Sequence, residues 1–165
     1  MREMDEIIAV LKATPGRWKD LAETIPDRLM RRLPMPGEWS ALECLVHLID
    51  TERDIFPVRV RAFLDGQEVL PAYFPDEQRT LLSPEHTAVG LAKQFEDLRR
   101  ESLALLETVH PEHLACASRH AELGPVTLEQ MLNEWAAHDL NHTVQAERAL
   151  MAPFVEACGP WKIYF

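Results

Sequence analysis

Thr127-Leu128-Glu129-Gln130-Met131-Leu132-Asn133-Glu134-Trp135-Ala136-Ala137-His138-Asp139-Leu140-Asn141-His142 is the stretch on which the fold turns. Thr127 suits a helix N-cap, and Gln130 three residues later completes a capping box. From there, helical spacing puts Leu128, Met131, Trp135, His138, His142, Ala146 and Ala149 within one sector of about 80°. The pattern predicts a long amphipathic helix that continues to about Leu150. It also places two histidines inside the apolar stripe, facing other helices and not water.

Three more long helical stretches lie upstream. Ser83 as N-cap, Pro84 at the first helical position and Glu85 predict a helix running to about Val109, before Pro111. Ser40 with Glu43 predicts another helix that runs toward Gly66, with Pro57 marking a kink or break. The first stretch covers about Arg2 to Glu23 on Ile7, Ile8, Val10, Leu11, Trp18, Leu21 and Ala22, with Thr14-Pro15-Gly16 as a candidate break. One short turn is expected over Asp27 to Arg31. Residues Gln67 to Leu82, with Pro71 and Pro75, read as a long crossover. His110 to Val126 reads as irregular, and the apolar tail from Pro153 to Phe165 is expected to dock on the bundle. Nothing reads as a sheet. The expected fold is all-α, a four-helix bundle with long crossover connections, in a single domain over residues 1–165.

Composition agrees with a globular chain and narrows its partners. The 165 residues are 47% apolar and 27% charged, enough for one core without a disulfide or a metal. A net charge of −10 argues against nucleic acid and against an anionic membrane surface. No apolar run approaches the roughly 20 residues of a membrane span. The acidic start, Met1 to Glu6, lacks a signal-peptide apolar region. Cys44, Cys116 and Cys158 are odd in number and form no CxxC, which fits a reducing cytoplasm.

His138 and His142 lie four apart, about 5–6 Å between Cβ atoms on one helix face. Such a pair can share a metal ion through ring nitrogens. The plainer alternative is two core histidines, each satisfied by a carbonyl, carboxylate or water. Asp139 stands where a zinc protease of the HExxH kind has glutamate, and its shorter side chain fits that role poorly. A metal site needs further ligands. His86, His110 and His113 sit beside prolines at helix ends, and His120 lies in a loop. His47 is mid-helix, but angular placement sets it opposite the stripe of Leu42, Leu45, Ile49, Phe56, Val60 and Phe63. Its companions there are Glu43, Thr51 and Asp54, with Asp50 close by. That side is either solvated or lines a cleft, with Asp50 or Asp54 as acid, base or supporting partner.

At these residues the chain resembles the DinB-like family of small helical proteins, near its YfiT-like metal-dependent and thiol-transferase branches. Trp39-Ser40-Ala41-Leu42-Glu43-Cys44-Leu45-Val46-His47-Leu48-Ile49-Asp50 resembles the family's W-S-x-x-E-x-L-x-H-L-x-D segment. Leu123-Gly124-Pro125-Val126-Thr127-Leu128, leading through Glu134-Trp135 to His138, His142 and Gln145, resembles its closing H-x-x-x-H helix. The resemblance covers nearly the whole chain. It implies a bundle holding a divalent metal, nickel or zinc, on His47, His138 and His142, with water or substrate at the remaining positions. It thereby places His47 on a cleft. It also implies a homodimer and a small-molecule substrate, and leaves the role of His120 open.

A three-histidine centre supports two chemistries. One is hydrolysis, with Asp50 accepting a proton from water; the other is transfer of a low-molecular-weight thiol to an electrophile. Cys44, one turn before His47, is either a neighbour of the metal or a small buried thiol. The alternative to an enzyme is a non-catalytic metal- or ligand-binding stress-response protein. A third reading keeps the histidines structural, with no metal.

Overall fold

The computed structural model describes residues 2–73 and 80–165. Helix α1 (Arg2–Thr24) is followed by the short α2 (Asp27–Met30), then α3 (Ala41–Asp54) and α4 (Phe56–Leu64). Helices α5 (Ala88–Leu106) and α6 (Leu128–Ala157) complete the bundle, and a 3-10 turn over Gly159–Tyr164 ends it. α1, α3, α5 and α6 are the four long members. No helix among the described residues is long and apolar enough to cross a membrane. Pro75 and the middle of the expected crossover lie outside the described residues.

Local signals set most boundaries. Ser40 Oγ accepts from the Glu43 amide, and the Glu43 carboxylate accepts from the Ser40 amide, so both bonds of the capping box form. Thr127 and Gln130 do the same for α6. Pro57 coincides with a true break: Ile55, at φ −122° and ψ −73°, separates α3 from α4.

α1, by contrast, runs unbroken through Pro15. A proline removes the amide that would bond the carbonyl four residues earlier. That carbonyl is Leu11 O, and it accepts instead from Arg99 Nη1 at 2.8 Å. A buried side chain from another helix therefore replaces the missing bond, and the expected break does not occur.

α5 starts later than Ser83 and Pro84 suggest. Its N-cap is Thr87, whose hydroxyl accepts from the Gly90 amide at 3.1 Å. Ser83 to His86 form a separate turn, closed by the Ser83 amide on His86 Nδ1. The carbonyls of Ser83 and His86 accept from the Arg31 guanidinium, and the Ser83 carbonyl also accepts from the His86 amide within the turn.

Two further expectations are corrected. Within the stretch read as irregular, β1 (Ala117–His120) and β2 (Gly124–Thr127) form an antiparallel hairpin. Each strand is four residues long, too short to show alternation. Arg119 turns its backbone bonds away from Pro125 and toward Glu68 and Leu70, so the proline costs the hairpin no bond. Gly124 closes the turn at φ +76°, a conformation that strains any residue with a Cβ. The apolar tail does not dock: α6 continues past Pro153 to Ala157, and Trp161 and Ile163 remain 68% and 83% exposed. The tail turns back along α6, where Phe165 lines an open cleft with Trp39, Asn141 and Gln145, but its large side chains stay exposed.

Candidate metal centre

α3 is buried on nearly every side, which resolves the angular puzzle of His47. Leu42, Leu45 and Ile49 face the main core with Trp18 and Phe95, while the polar side of α3 faces α6. His47 from α3 and His138 from α6 meet with their Nε2 atoms 3.0 Å apart. His142, one turn further along α6, brings its ring centroid to 4.5 Å from that of His47 and 4.4 Å from that of His138. One nitrogen from each of the three rings lies within 4.8 Å of the others.

The donor set fits a divalent ion. Imidazole binds such ions at about 2.0–2.1 Å, so two ligating nitrogens stand roughly 3 Å apart at right angles and about 3.4 Å apart in a tetrahedron. The 3.0 Å between His47 and His138 falls in that range. His142 Nδ1 donates to Gln145 Oε1 at 2.9 Å, which leaves a lone pair on Nε2. Burial lowers the pKa of His47 to about 4, with His142 acting in the same sense and Asp50 opposing. Burial lowers that of His138 to about 3, assisted by His142, His47 and Arg99. Burial also lowers His142, against its bond to Gln145. All three rings are thus neutral at pH 7, the form a metal requires.

Packing orients the rings. Trp39 stacks on His142 with centroids 5.8 Å apart and lies 4.9 Å from His47, and Phe56 meets His138 edge-on at 5.2 Å. Nδ1 of His47 and Nδ1 of His138 are buried and have no hydrogen-bond partner among the described residues.

Beneath the histidines, a buried ionic cluster fixes α3 against α6. Arg99 on α5 is 1% exposed, and all five of its N–H groups are used. Two go to the Glu52 carboxylate at 2.7 and 2.8 Å, two to Asp139 at 2.7 and 3.1 Å, and one to Leu11 O. Trp135 Nε1 donates to Glu52 at 3.3 Å. Glu52 follows His47 on α3, and Asp139 adjoins His138 on α6, so the guanidinium sets the register that brings the two imidazoles together.

The remaining candidates are placed as follows. Asp50 is buried, and its carboxylate accepts from Arg53 at 2.7 Å and from the amide and hydroxyl of Thr80 at 2.7 and 2.6 Å. Asp54 pairs with Arg53 and stays half exposed, outside the histidine group. Cys44 packs in the core, and burial with the nearby Glu43 charge pushes its thiol up to about 12, which makes it unreactive at neutral pH. His120 is not one of the three, but it shares with His47 and His138 a cavity of about 340 Å³. Arg59, Tyr73 and Glu134 line the same cavity.

Sequence reasoning missed the Glu52–Arg99–Asp139 cluster and the contributions of Arg59 and Tyr73. A signal for Arg99 was present: with Phe95 and Leu106 it occupies the buried stripe of α5, where a lone guanidinium requires acidic partners. Tyr73 gave none, because the hairpin's bonds to residues 68 and 70 are what bring its segment to the cavity.

Comparison with known proteins agrees with this architecture. The family model of the DinB superfamily matches residues 11–146. The fold is similar to that of YfiT from Bacillus subtilis, described as a probable metal-dependent hydrolase with an unusual four-helix bundle topology. That likeness has a TM-score of 0.79 at 20% identity and covers 92% of this chain and 87% of the other. A DinB-like protein, YjoA, also from Bacillus subtilis, matches with a TM-score of 0.57 at 19% identity, over 88% of this chain and 90% of the other. No curated protein matches the chain.

Proposed function

The chain belongs to the DinB superfamily, and from that premise we propose that it is a divalent-metal-dependent hydrolase of a small molecule. The observation that carries this reading is the convergence of His47, His138 and His142, three neutral imidazoles within 4.8 Å of one another. The description of YfiT as a probable metal-dependent hydrolase supports the reaction class. Nickel and zinc both suit a nitrogen donor set of this kind. When bound, such an ion supplies Lewis-acid activation of water, or of a thiol.

The chain's own residues do the rest. His47, His138 and His142 would hold the ion, and Trp39 and Phe56 fix their rings. Asp50 acts through its charge, which favours a cation at His47, and through the bonds that hold Thr80 at the cleft. Glu134 lines the cavity with His138 and makes no side-chain hydrogen bond among the described residues. Burial raises its pKa against the opposing charge of Arg59, which suits a carboxyl group that takes and returns a proton. The same proposal carries a homodimer and a cytoplasmic location.

The test is a panel of ester and amide substrates, and of thiol plus electrophile pairs, on protein stripped of metal and reloaded with zinc or nickel. Turnover of an ester or amide without added thiol, restored by the ion, is the expected result. Turnover only with a low-molecular-weight thiol would replace hydrolysis by thiol transfer. Stoichiometric metal without any turnover would favour a binding protein.

A further inference from the structure

The cavity beside the histidines holds more hydrogen-bond donors than its described residues satisfy. Among the described residues, Arg59 Nε is buried and has no partner, and Arg59 Nη2 donates to the Pro71 carbonyl at 3.4 Å. Tyr73 OH is likewise buried without a partner among the described residues. His120 accepts at Nδ1 from the amides of Glu122 and Leu123, at 3.2 and 3.4 Å. In the neutral ring that arrangement leaves the proton on Nε2, as a third donor. The three side chains come from separate pieces of chain: α4, the segment after the Val69–Arg119 bridge, and the end of β1. They converge on a space that His47 and His138 also line.

Unpaired buried donors cost stability, and the cost is recovered when an acceptor arrives. A guanidinium with a free edge is the usual partner of a planar oxyanion. Glu134 on the same wall, with Asp50 and Asp54 acting on Tyr73 against Arg53, sets the charge of that partner. These carboxylates repel a second negative charge, so a monoanion is accepted more readily than a dianion.

We propose that Arg59, Tyr73 and His120 form a carboxylate-binding subsite, so that the substrate is a small molecule with one carboxylate set beside the three-histidine centre. As a statement about substrate this rests on the metal-dependent reading. The binding of the carboxylate does not, because none of the three donors is a proposed metal ligand. Orientation of the substrate by its carboxylate would set which bond faces the centre.

Titration with butyrate, followed by NMR of the Glu122 and Leu123 amide signals, which sense His120 in every variant, in metal-stripped and zinc-loaded protein, tests it. Saturable shifts are expected in both forms. Arg59→Met should weaken butyrate at least tenfold, Tyr73→Phe at least threefold, and Arg59→Lys, which keeps the charge without the fork, by an intermediate factor. Zinc stoichiometry should be unchanged in all three. Inorganic phosphate, largely a dianion at pH 7.5, should bind more weakly than butyrate. Butyrate affinity within twofold of wild type in both Arg59 variants would overturn the subsite, as would tighter phosphate than butyrate. If the chain takes up no zinc, the metal reading falls, while the Arg59 dependence in stripped protein still decides the subsite.

Discussion

Replacing Arg99 by methionine removes a guanidinium with five hydrogen bonds and no access to solvent, while keeping most of the side chain's length and apolar contact. Glu52 and Asp139 are then left buried without their cation, and Leu11 O loses the donor that stands in for the amide absent at Pro15. Breaking one partner out of a buried ionic cluster costs about 3–5 kcal/mol. Urea unfolding of both proteins at pH 7 should show a difference of that size. The pH dependence follows from the same cause. Burial already raises the pKa of Asp139 against the opposing charge and hydrogen bonds of Arg99, and removing Arg99 raises it further above its unfolded value near 4. A raised pKa means the contribution is favourable below the unfolded value and is lost as pH rises through the folded one. The gap to wild type should therefore narrow between pH 7 and pH 4.5, and comparison at each pH cancels the titration of the histidines. A gap below about 1 kcal/mol at pH 7 would refute the assignment of Arg99 as the clamp. So would a gap that does not change with pH.

Other consequences are open to simple measurement. In metal-free protein, the depressed histidines bind fewer protons folded than unfolded, so stability is full above pH 6.5 and falls as pH drops toward about 4, where the His47 contribution is exhausted. By urea melts, His47 alone accounts for about 3 kcal/mol over that window; flat stability from pH 7 to pH 4.5 would contradict it. Gly124→Ala meets no atom within 4 Å, yet it forces an alanine to φ +76°, so a loss of about 1 kcal/mol is expected in thermal unfolding. Cys44 should resist a thiol reagent in the native protein while Cys116 and Cys158 react, and a third thiol should appear only on denaturation.

The bundle could be read from sequence because its helices announce themselves through caps and stripes: Ser40 with Glu43, Thr127 with Gln130, and the face from Leu128 to Ala149. What escaped was set by contacts distant along the chain. The continuity of α1 through Pro15 depends on Arg99, 88 positions from the carbonyl it serves. The hairpin of Ala117–His120 with Gly124–Thr127 is too short for a pattern and is held partly by residues 68 and 70. His138 and His142 were legible as a pair from spacing on one helix. His47 was not legible from periodicity, because a helix buried on all sides has no solvent face against which to judge a polar stripe.

The central claim is that imidazoles from α3 and α6 share one cation, and anomalous scattering from crystals grown with nickel, collected at its absorption edge, tests it most directly. The account predicts a single strong peak per chain, within about 2.1 Å of a nitrogen of each of His47, His138 and His142. Rings turned away from one another with no peak among them, or a peak bound by other residues, would contradict it.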